Sequence, residues 1–323
     1  MMYKKSLFVF LWLSCLLQSS CSVDGGLLTD DQERHIDLIV KMDHGDYWST
    51  LRMGAEVAAK EFNVNLRFLA PANEGDIQGQ INLVNDSIQK HPDALLLAAS
   101  DYMKLAQVTD RAAYNNIPII SIDSEVGSAR VKSYIGTNNY EAGQRAAERM
   151  VQLIGGSGKI AVMNFVQEAR NANQREEGLL DYIARYPDVQ IVNIAYCQSS
   201  KEMASAITRD WLKAYPDLRG IIALNAEASI GVGRVVKEAG QGGLIQVIAF
   251  DSPQETMEML QDGTVQALVI QNPFNNGYLA VQYAMELMEG RKIADRIDTG
   301  IKVIDLENML WPENQKLLFP FVR

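Results

Sequence analysis

What most constrains this chain is an alternation of strand-length apolar runs with helical stretches, completed once and then begun again. The runs fall near 35–42, 65–70, 94–99, 118–123 and 131–136, and a second series near 159–165, 190–197, 220–225, 245–250 and 265–271. TLRMGAEVAAKEF, IQGQINLVNDSIQ and YMKLAQVTDRAAY lie between the early runs and read as helices. This order specifies parallel β-α-β units with helices on both faces of a sheet, here two α/β lobes of Rossmann-like build. TNNYEAGQRAAERMVQLIGGSG lies between the halves, and the chain is expected to cross at Thr137 or Asn138. After Gln271 a further helix, NNGYLAVQYAMELMEG, precedes a last extended piece, DTGIKVIDL. Elements left over after the second lobe imply a return to the first, so residues 35–137 plus 272–299 are read as one lobe and 138–271 plus 300–323 as the other. Several crossovers then form a multi-segment hinge beneath a cleft.

In an open parallel sheet, ligands sit beyond the carboxyl ends of the strands, where loops and helix N-termini converge. Several runs here end in polar or aromatic residues. HIDLIVKMDHGDYW ends in Tyr47 and Trp48, PIISID in Asp123, GIIALN in Asn225, QVIAFD in Asp251 and VQALVIQ in Gln271. Together they form an inventory for gripping a neutral ligand with many hydroxyls: carboxylates accept, amides do both, and aromatic faces meet C–H groups.

The chain has 323 residues, a net charge of −10 and 47% hydrophobic residues, enough for two cores. An acidic chain without a Lys/Arg stripe has no footprint for phosphate backbones, which argues against nucleic acid and for neutral or cationic partners. At the N-terminus, MMYKKSLFVFLWLSCLLQSSC sets Lys4 and Lys5 ahead of an apolar run from Leu7 to Leu17, then Ser19 and Ser20. It reads as an export signal over residues 1–21, the run being shorter than the roughly 20 residues of a spanning helix. Cys21 directly after Ser-Ser resembles a bacterial lipoprotein signal, in which that cysteine becomes the lipidated N-terminus. Gln18 stands where that signal usually has leucine, so plain secretion is the alternative. Cys197 then has no internal partner for a disulfide and reads as a small buried hydrophobe.

Apparent catalytic motifs fail on inspection. GVGRVV, from Gly231, has Val236 in place of the third glycine of a dinucleotide fingerprint and lies within a helical stretch. GGSGK, from Gly155, lacks the first glycine of a phosphate loop and has Ile160 in place of its Ser or Thr; it reads as the turn before KIAVMNF. His35, His44 and His91 share no metal spacing, and no cofactor is expected; His44 alone lies near the expected cleft. Asp123 and Asp251 have the residue types of a glycosidase pair, but carboxylates facing Arg175 are expected to stay ionised, against the raised pKa a general acid needs. A carbohydrate-acting enzyme is the alternative from another class.

From about Ile36 to Met309 the chain resembles the periplasmic sugar-binding proteins of ABC transporters, the ribose-binding type, whose ligand-binding fold is shared with the lac repressor family. The resemblance rests on DYWSTLRMGAEVAAKEFN, AYNNIPIISID, YIGTNNYEAGQRAAE, NANQREEGLL, GIIALNAEASIGVGRVVKEAG, QVIAFDSPQETMEMLQDGTVQALVIQNP and TGIKVIDLENM, in that order. It implies the type I periplasmic binding protein fold and a lobe-closing receptor without chemistry of its own. Residue by residue, it implies that Tyr47 and Trp48 sandwich the sugar ring, that Asp123 binds hydroxyls, that Arg175 donates to oxygens, and that Asn225, Asp251 and Gln271 complete the polar set. Asn225 and Asp251 equally suit the caps of the helices that follow, and the two uses are compatible.

The chain departs from the ribose-type pattern at Ser124, where an arginine usually stands, at Gly45 and Ala98 in place of asparagines, and at Ser199 in place of a third aromatic, for which Tyr196 is the nearby substitute. These changes point away from ribose toward a hexose, a deoxy sugar or another polyol. The resemblance further implies export to the periplasm or outer membrane face, a monomer, and an ABC permease as partner, with a sensor kinase or chemoreceptor as the alternative. A transcription regulator of the same fold would carry a DNA-binding segment where this chain has its export signal.

Overall fold

The computed structural model describes residues 33–318; the export signal read in residues 1–21, with Cys21, lies outside them. The first lobe begins β1 (Arg34–Ile39), α1 (Asp46–Glu61), β2 (Val64–Leu69), α2 (Ile77–Lys90), β3 (Ala94–Leu97), α3 (Ala106–Tyr114), β4 (Ile119–Ile122), β5 (Ser133–Gly136). The second runs α4 (Asn139–Ile154), β6 (Gly158–Asn164), α5 (Arg170–Ile183), β7 (Val189–Tyr196), α6 (Lys201–Ala214), β8 (Leu218–Ala223), α7 (Ala226–Glu238), β9 (Gln246–Phe250), α8 (Gln254–Gln261), β10 (Ala267–Ile270). α9 (Pro273–Met288), β11 (Arg296–Asp298), β12 (Lys302–Ile304) and α10 (Pro312–Leu318) follow.

The strands form two six-stranded sheets with the same layout, β11-β5-β4-β3-β1-β2 and β12-β10-β9-β8-β6-β7. Within each, the first five strands in chain order are parallel, so their carboxyl ends share one edge. The unbroken apolar runs follow from burial on both faces. In the first sheet Ile36, Leu38, Leu96, Ile120 and Ile122 pack into one core and Ile39, Leu95, Leu97 and Ile119 into another, the split expected when alternate side chains point to opposite sides.

The chain passes between the sheets three times. β5 ends at Gly136 and α4, capped by the Asn138 side chain, packs on the second sheet; after β10 the chain returns as α9 against α1 and β3 to β5; β11 then leads directly to β12. β11 runs parallel to β5, whereas β12 runs antiparallel to β10. A strand that leaves one sheet at its cleft edge enters the other from the cleft, and so must run against its neighbours. The final extended piece is thus two strands rather than one, broken at Thr299 and Gly300, where the glycine has φ +75°. YMKLAQVTDRAAY is likewise helical only from Ala106, since the Asp101 carboxylate accepts from the Met103 and Lys104 N–H groups and turns the chain there.

Two helix pairs, α1 with α9 and α4 with α5, come together through glycines. A Cβ on Gly54 would lie 2.0 Å from the Phe274 carbonyl, and one on Gly143 would lie 1.9 Å from that of Arg175. The glycines of GVGRVV serve packing too, Gly231 against α6 and Gly233 against Met259. In GGSGK, Gly155 and Gly156 take φ of +72° and +77° to end α4 before β6.

Candidate functional site: the cleft between the sheets

All seven residues singled out from the sequence line one cavity between the two sets of strand ends. Asp123 follows β4 and Asp251 follows β9, both in left-handed backbone, φ 57° and 63°. Aspartate tolerates that conformation better than most residues, and it aims each carboxylate out of the sheet into the cleft. Gln271 follows β10 and donates to Asp251 Oδ1 at 2.8 Å. Asn225 follows β8 and caps α7, Oδ1 accepting from the Ala228 N–H at 2.9 Å while Nδ2 donates to Ser199 Oγ. Its two uses therefore coexist, whereas Asp251 leaves the cap of α8 to Pro253.

The aromatic pair sits differently from the sequence reading. β1 ends at Ile39, and Tyr47 and Trp48 belong to the first turn of α1, which begins four residues before TLRM. Gly45 at the N-cap has φ +94°, which accounts for a glycine there, and a Cβ would come within 3.1 Å of Glu227 Oε1. The rings are edge-to-face, centroids 5.1 Å apart and planes at 85°. They form a corner and leave no slot between them for a sugar ring. The aromatic on the other lobe is Phe165, following β6, and not Tyr196, whose hydroxyl donates to Glu176. Ser199 donates to Glu74 Oε2 at 2.8 Å, joining the lobes.

Arg175 is buried, its guanidinium 4.6 Å from the Phe250 ring centroid and 5.5 Å from that of Phe165. Nε donates to Asn139 Oδ1 at the crossing between sheets and Nη1 to the Leu224 carbonyl. The expectation that a carboxylate facing Arg175 escapes a raised pKa is corrected for Asp251, which nonetheless stays mostly ionised at pH 7. Burial pushes the Asp251 carboxyl up to about 6, with Arg175 opposing it less strongly. Around Asp123 the Tyr47 hydroxyl donates to Oδ1 at 2.7 Å, Asn171 Nδ2 donates to Oδ2 at 3.1 Å, and Lys41 Nζ lies 3.5 Å away. Burial and the neighbouring aspartates raise Tyr47 well above the usual phenol range, so it remains a donor.

Among the lining residues that went unnoticed in the sequence, five are charged, amide or aromatic: Lys41, Glu74, Phe165, Asn171 and Glu227. Lys41 is 1% exposed and donates to Asn171 Oδ1 at 3.0 Å, a second polar link between lobes. Glu74 and Glu227 are both raised by burial, and Lys201 stands 3.4 Å from Glu227. His44 is exposed and bonds Asp43 instead of the cavity. Cys197 is fully buried, its thiol pushed up to about 12 by that burial, which removes it as a nucleophile.

Two lobes of matching topology that present acids, amides, a buried arginine and aromatics to one cleft define a binding protein. The chain belongs to the periplasmic binding protein domain family, whose model matches residues 36–292. It is 24% identical over 306 residues to the ribose import binding protein of Bacillus subtilis (strain 168), covering 93% of this chain and 98% of that one. An ABC transporter solute binding protein from Agrobacterium vitis with bound D-fucose superposes with a TM-score of 0.86 at 35% identity, over 88% of this chain and all of that one. A carbohydrate transporter solute binding protein from Agrobacterium radiobacter in complex with D-arabinose also gives 0.86, at 29% identity, over 89% and 99%. The architecture is that of the type I periplasmic binding proteins.

Proposed function

We propose that this chain is an extracytoplasmic solute-binding protein that captures a monosaccharide or similar polyol between its lobes and delivers it to an ABC transporter permease. The observation that carries the reading is the convergence of Tyr47, Trp48, Asp123, Arg175, Asn225, Asp251 and Gln271 on one cavity from both lobes. On this reading Asp123 and Asp251 accept hydroxyl protons, Gln271 and Asn225 bridge, Arg175 donates to oxygens, and the sugar's apolar face lies against the Trp48 corner with Phe165 opposite. The lobes divide as 35–137 plus 272–299 and 138–271 plus 300–323. The cavity is about 30 Å³, room for a water or two, so a sugar enters by parting the lobes and is retained as they close. Glu74–Ser199, Lys41–Asn171 and Asn171–Asp123 are among the polar contacts that re-form on closure. Cys21 is the proposed lipid attachment, the chain works as a monomer, and no sugar is turned over: Asp123, the partner a glycosidase would need beside Asp251, is engaged on both oxygens by Tyr47, Asn171 and Lys41.

Thermal melting of the full chain against D-fucose, D-arabinose, D-ribose, hexoses and polyols, followed by calorimetry and a product assay, tests this. A true ligand stabilises by about 2.7 kcal/mol at a hundredfold excess over its Kd, and Asp251→Ala and Trp48→Ala each abolish the shift. A panel in which no sugar or polyol acts, while an amino acid or nucleoside does, overturns the substrate class. Release of a product overturns the purely binding role.

A further inference from the structure

Beside the ligand cavity the lobes border a second, larger and partly open space of about 660 Å³. The two spaces share Tyr47, Asp251 and Gln271 as lining. The partition is thin: the Tyr47 hydroxyl, which donates to Asp123 and accepts from Asn276, and the Gln271–Asp251 hydrogen bond. Beyond it the lining is mixed, with Ser49, Thr50, Gln254, Asn275 and Lys316 set beside a group of apolar side chains. Met53 of α1 and Phe274 of α9 line the space from the first lobe, Met257 of α8 and Leu317 of α10 from the second, and all four are half-buried.

A bare sugar ring has no use for such walls, because it is gripped by directional hydrogen bonds of the kind clustered in the inner cavity. Half-buried apolar side chains instead reward removal of a second apolar surface from water. Two methionines facing in from different lobes add a surface that adapts to varied shapes. The volume falls in the range of small-molecule sites and is ample for an aromatic ring.

We propose that this second space receives the aglycone of a glycoside, so that the ligand is a sugar carrying an apolar, aromatic-sized substituent on its anomeric oxygen. The inference rests on the sugar-binding reading and narrows its ligand class. The sugar ring occupies the inner cavity, and the substituent passes between Tyr47 and Gln271 to lie between Met53 and Met257.

Calorimetry on the full chain with 4-nitrophenyl α- and β-D-fucopyranoside against D-fucose, and with the corresponding arabinopyranosides against D-arabinose, tests the proposal. One anomer of a nitrophenyl glycoside should bind at least tenfold more tightly than its parent sugar. Met257→Trp, which fills the second space, should remove that margin and leave the Kd of the free sugar within twofold; Met53→Trp fills the same space from the other lobe should the first variant fail to fold. If both anomers bind no more tightly than the parent sugars, or the tryptophan variant weakens sugar and glycoside alike, the inference falls and the sugar reading stands. If D-fucose, D-arabinose and all their glycosides fail to bind, the inference falls, and the sugar reading falls with it only if the wider panel of sugars and polyols also fails.

Discussion

At the end of β4 the chain turns through Asp123, and at the same place in the other sheet, the end of β9, it turns through Asp251. Each takes a left-handed backbone, and each closes the ladder to the next strand with its own N–H, to Ile135 at 3.0 Å and to Val269 at 2.9 Å. The carboxylates nevertheless live differently. Asp123 has Lys41 from the end of β1, with Tyr47 and Asn171. The equivalent strand end in the second sheet, after β6, supplies Phe165, which brings no charge. Asp251 has Arg175, Gln271 and the Ala226 N–H to support its charge, and burial outweighs them and raises it to about 6. Position in the fold therefore fixes where a strand-end side chain points, while neighbouring strand ends fix whether its charge is supported.

The comparison breaks most visibly at Asp123. Asp123→Asn removes the carboxylate that, among the described residues, forms an ion pair with Lys41, and leaves a lysine that is 1% exposed with only the weaker influence of Glu74. Loss of one partner of a buried pair costs about 3–5 kcal/mol. Urea denaturation without sugar should show a loss of that size, partly recovered in the double variant with Lys41→Met. A loss below about 1 kcal/mol, or no recovery in the double variant, would mean that Lys41 does not depend on Asp123.

A second pair of variants compares the lobes through their helices. Gly54→Ala and Gly143→Ala each force a Cβ onto a backbone carbonyl, at 2.0 Å and 1.9 Å. Overpacking of this kind costs about 3 kcal/mol, the upper end of its usual range. Their effects on binding should separate, because the carbonyl displaced by Gly143→Ala belongs to Arg175. That variant should weaken sugar binding more than tenfold, by calorimetry, and Gly54→Ala less. Equal losses of binding would remove Arg175 as the reason.

The repeated strand–helix alternation made the two lobes legible, and the strand-end rule found Asp123, Asn225, Asp251 and Gln271, because in a parallel sheet the position after the last paired residue is fixed by the backbone. Phe165 was available to the same rule, standing directly after Asn164 at the end of β6. Asn171 lay one helical turn before Arg175, on the same face of α5. Lys41 was hidden because a lysine closing an apolar run reads as the first exposed residue, whereas Phe165 and Asn171 of the other lobe, with Asp123 of its own, surround it here. Glu74 and Glu227 depend on closure, Glu74 meeting Ser199 of the other lobe and Glu227 meeting Gly45, although Lys201 of its own lobe also covers Glu227. The edge-to-face arrangement of Tyr47 and Trp48 followed from α1 starting at Asp46, a boundary set by Gly45 at φ +94° and not by hydrophobic periodicity.

The smallest expected effect separates the two aspartates most sharply, because its sign is opposite. A carboxyl whose folded-state pKa is raised contributes stability that is fully present below its ordinary value of 3.8 and is lost as pH rises through about 6. The gap between those values corresponds to on the order of 3 kcal/mol. Asp251→Asn cannot ionise and escapes that loss, although it turns an amide N–H toward the Ala226 N–H and gives up about 1 kcal/mol of hydrogen bonding. Without sugar, the variant should be more stable than the parent by about 2 kcal/mol above pH 7, and the advantage should shrink through pH 6 and reverse near pH 4. Asp123→Asn should be the less stable protein at pH 7. Tm measured from pH 4 to 8 for the parent and both variants decides the matter: a pH-independent offset for Asp251→Asn would show that Arg175 and Gln271 compensate its charge after all, and the two strand ends would then be electrostatically alike.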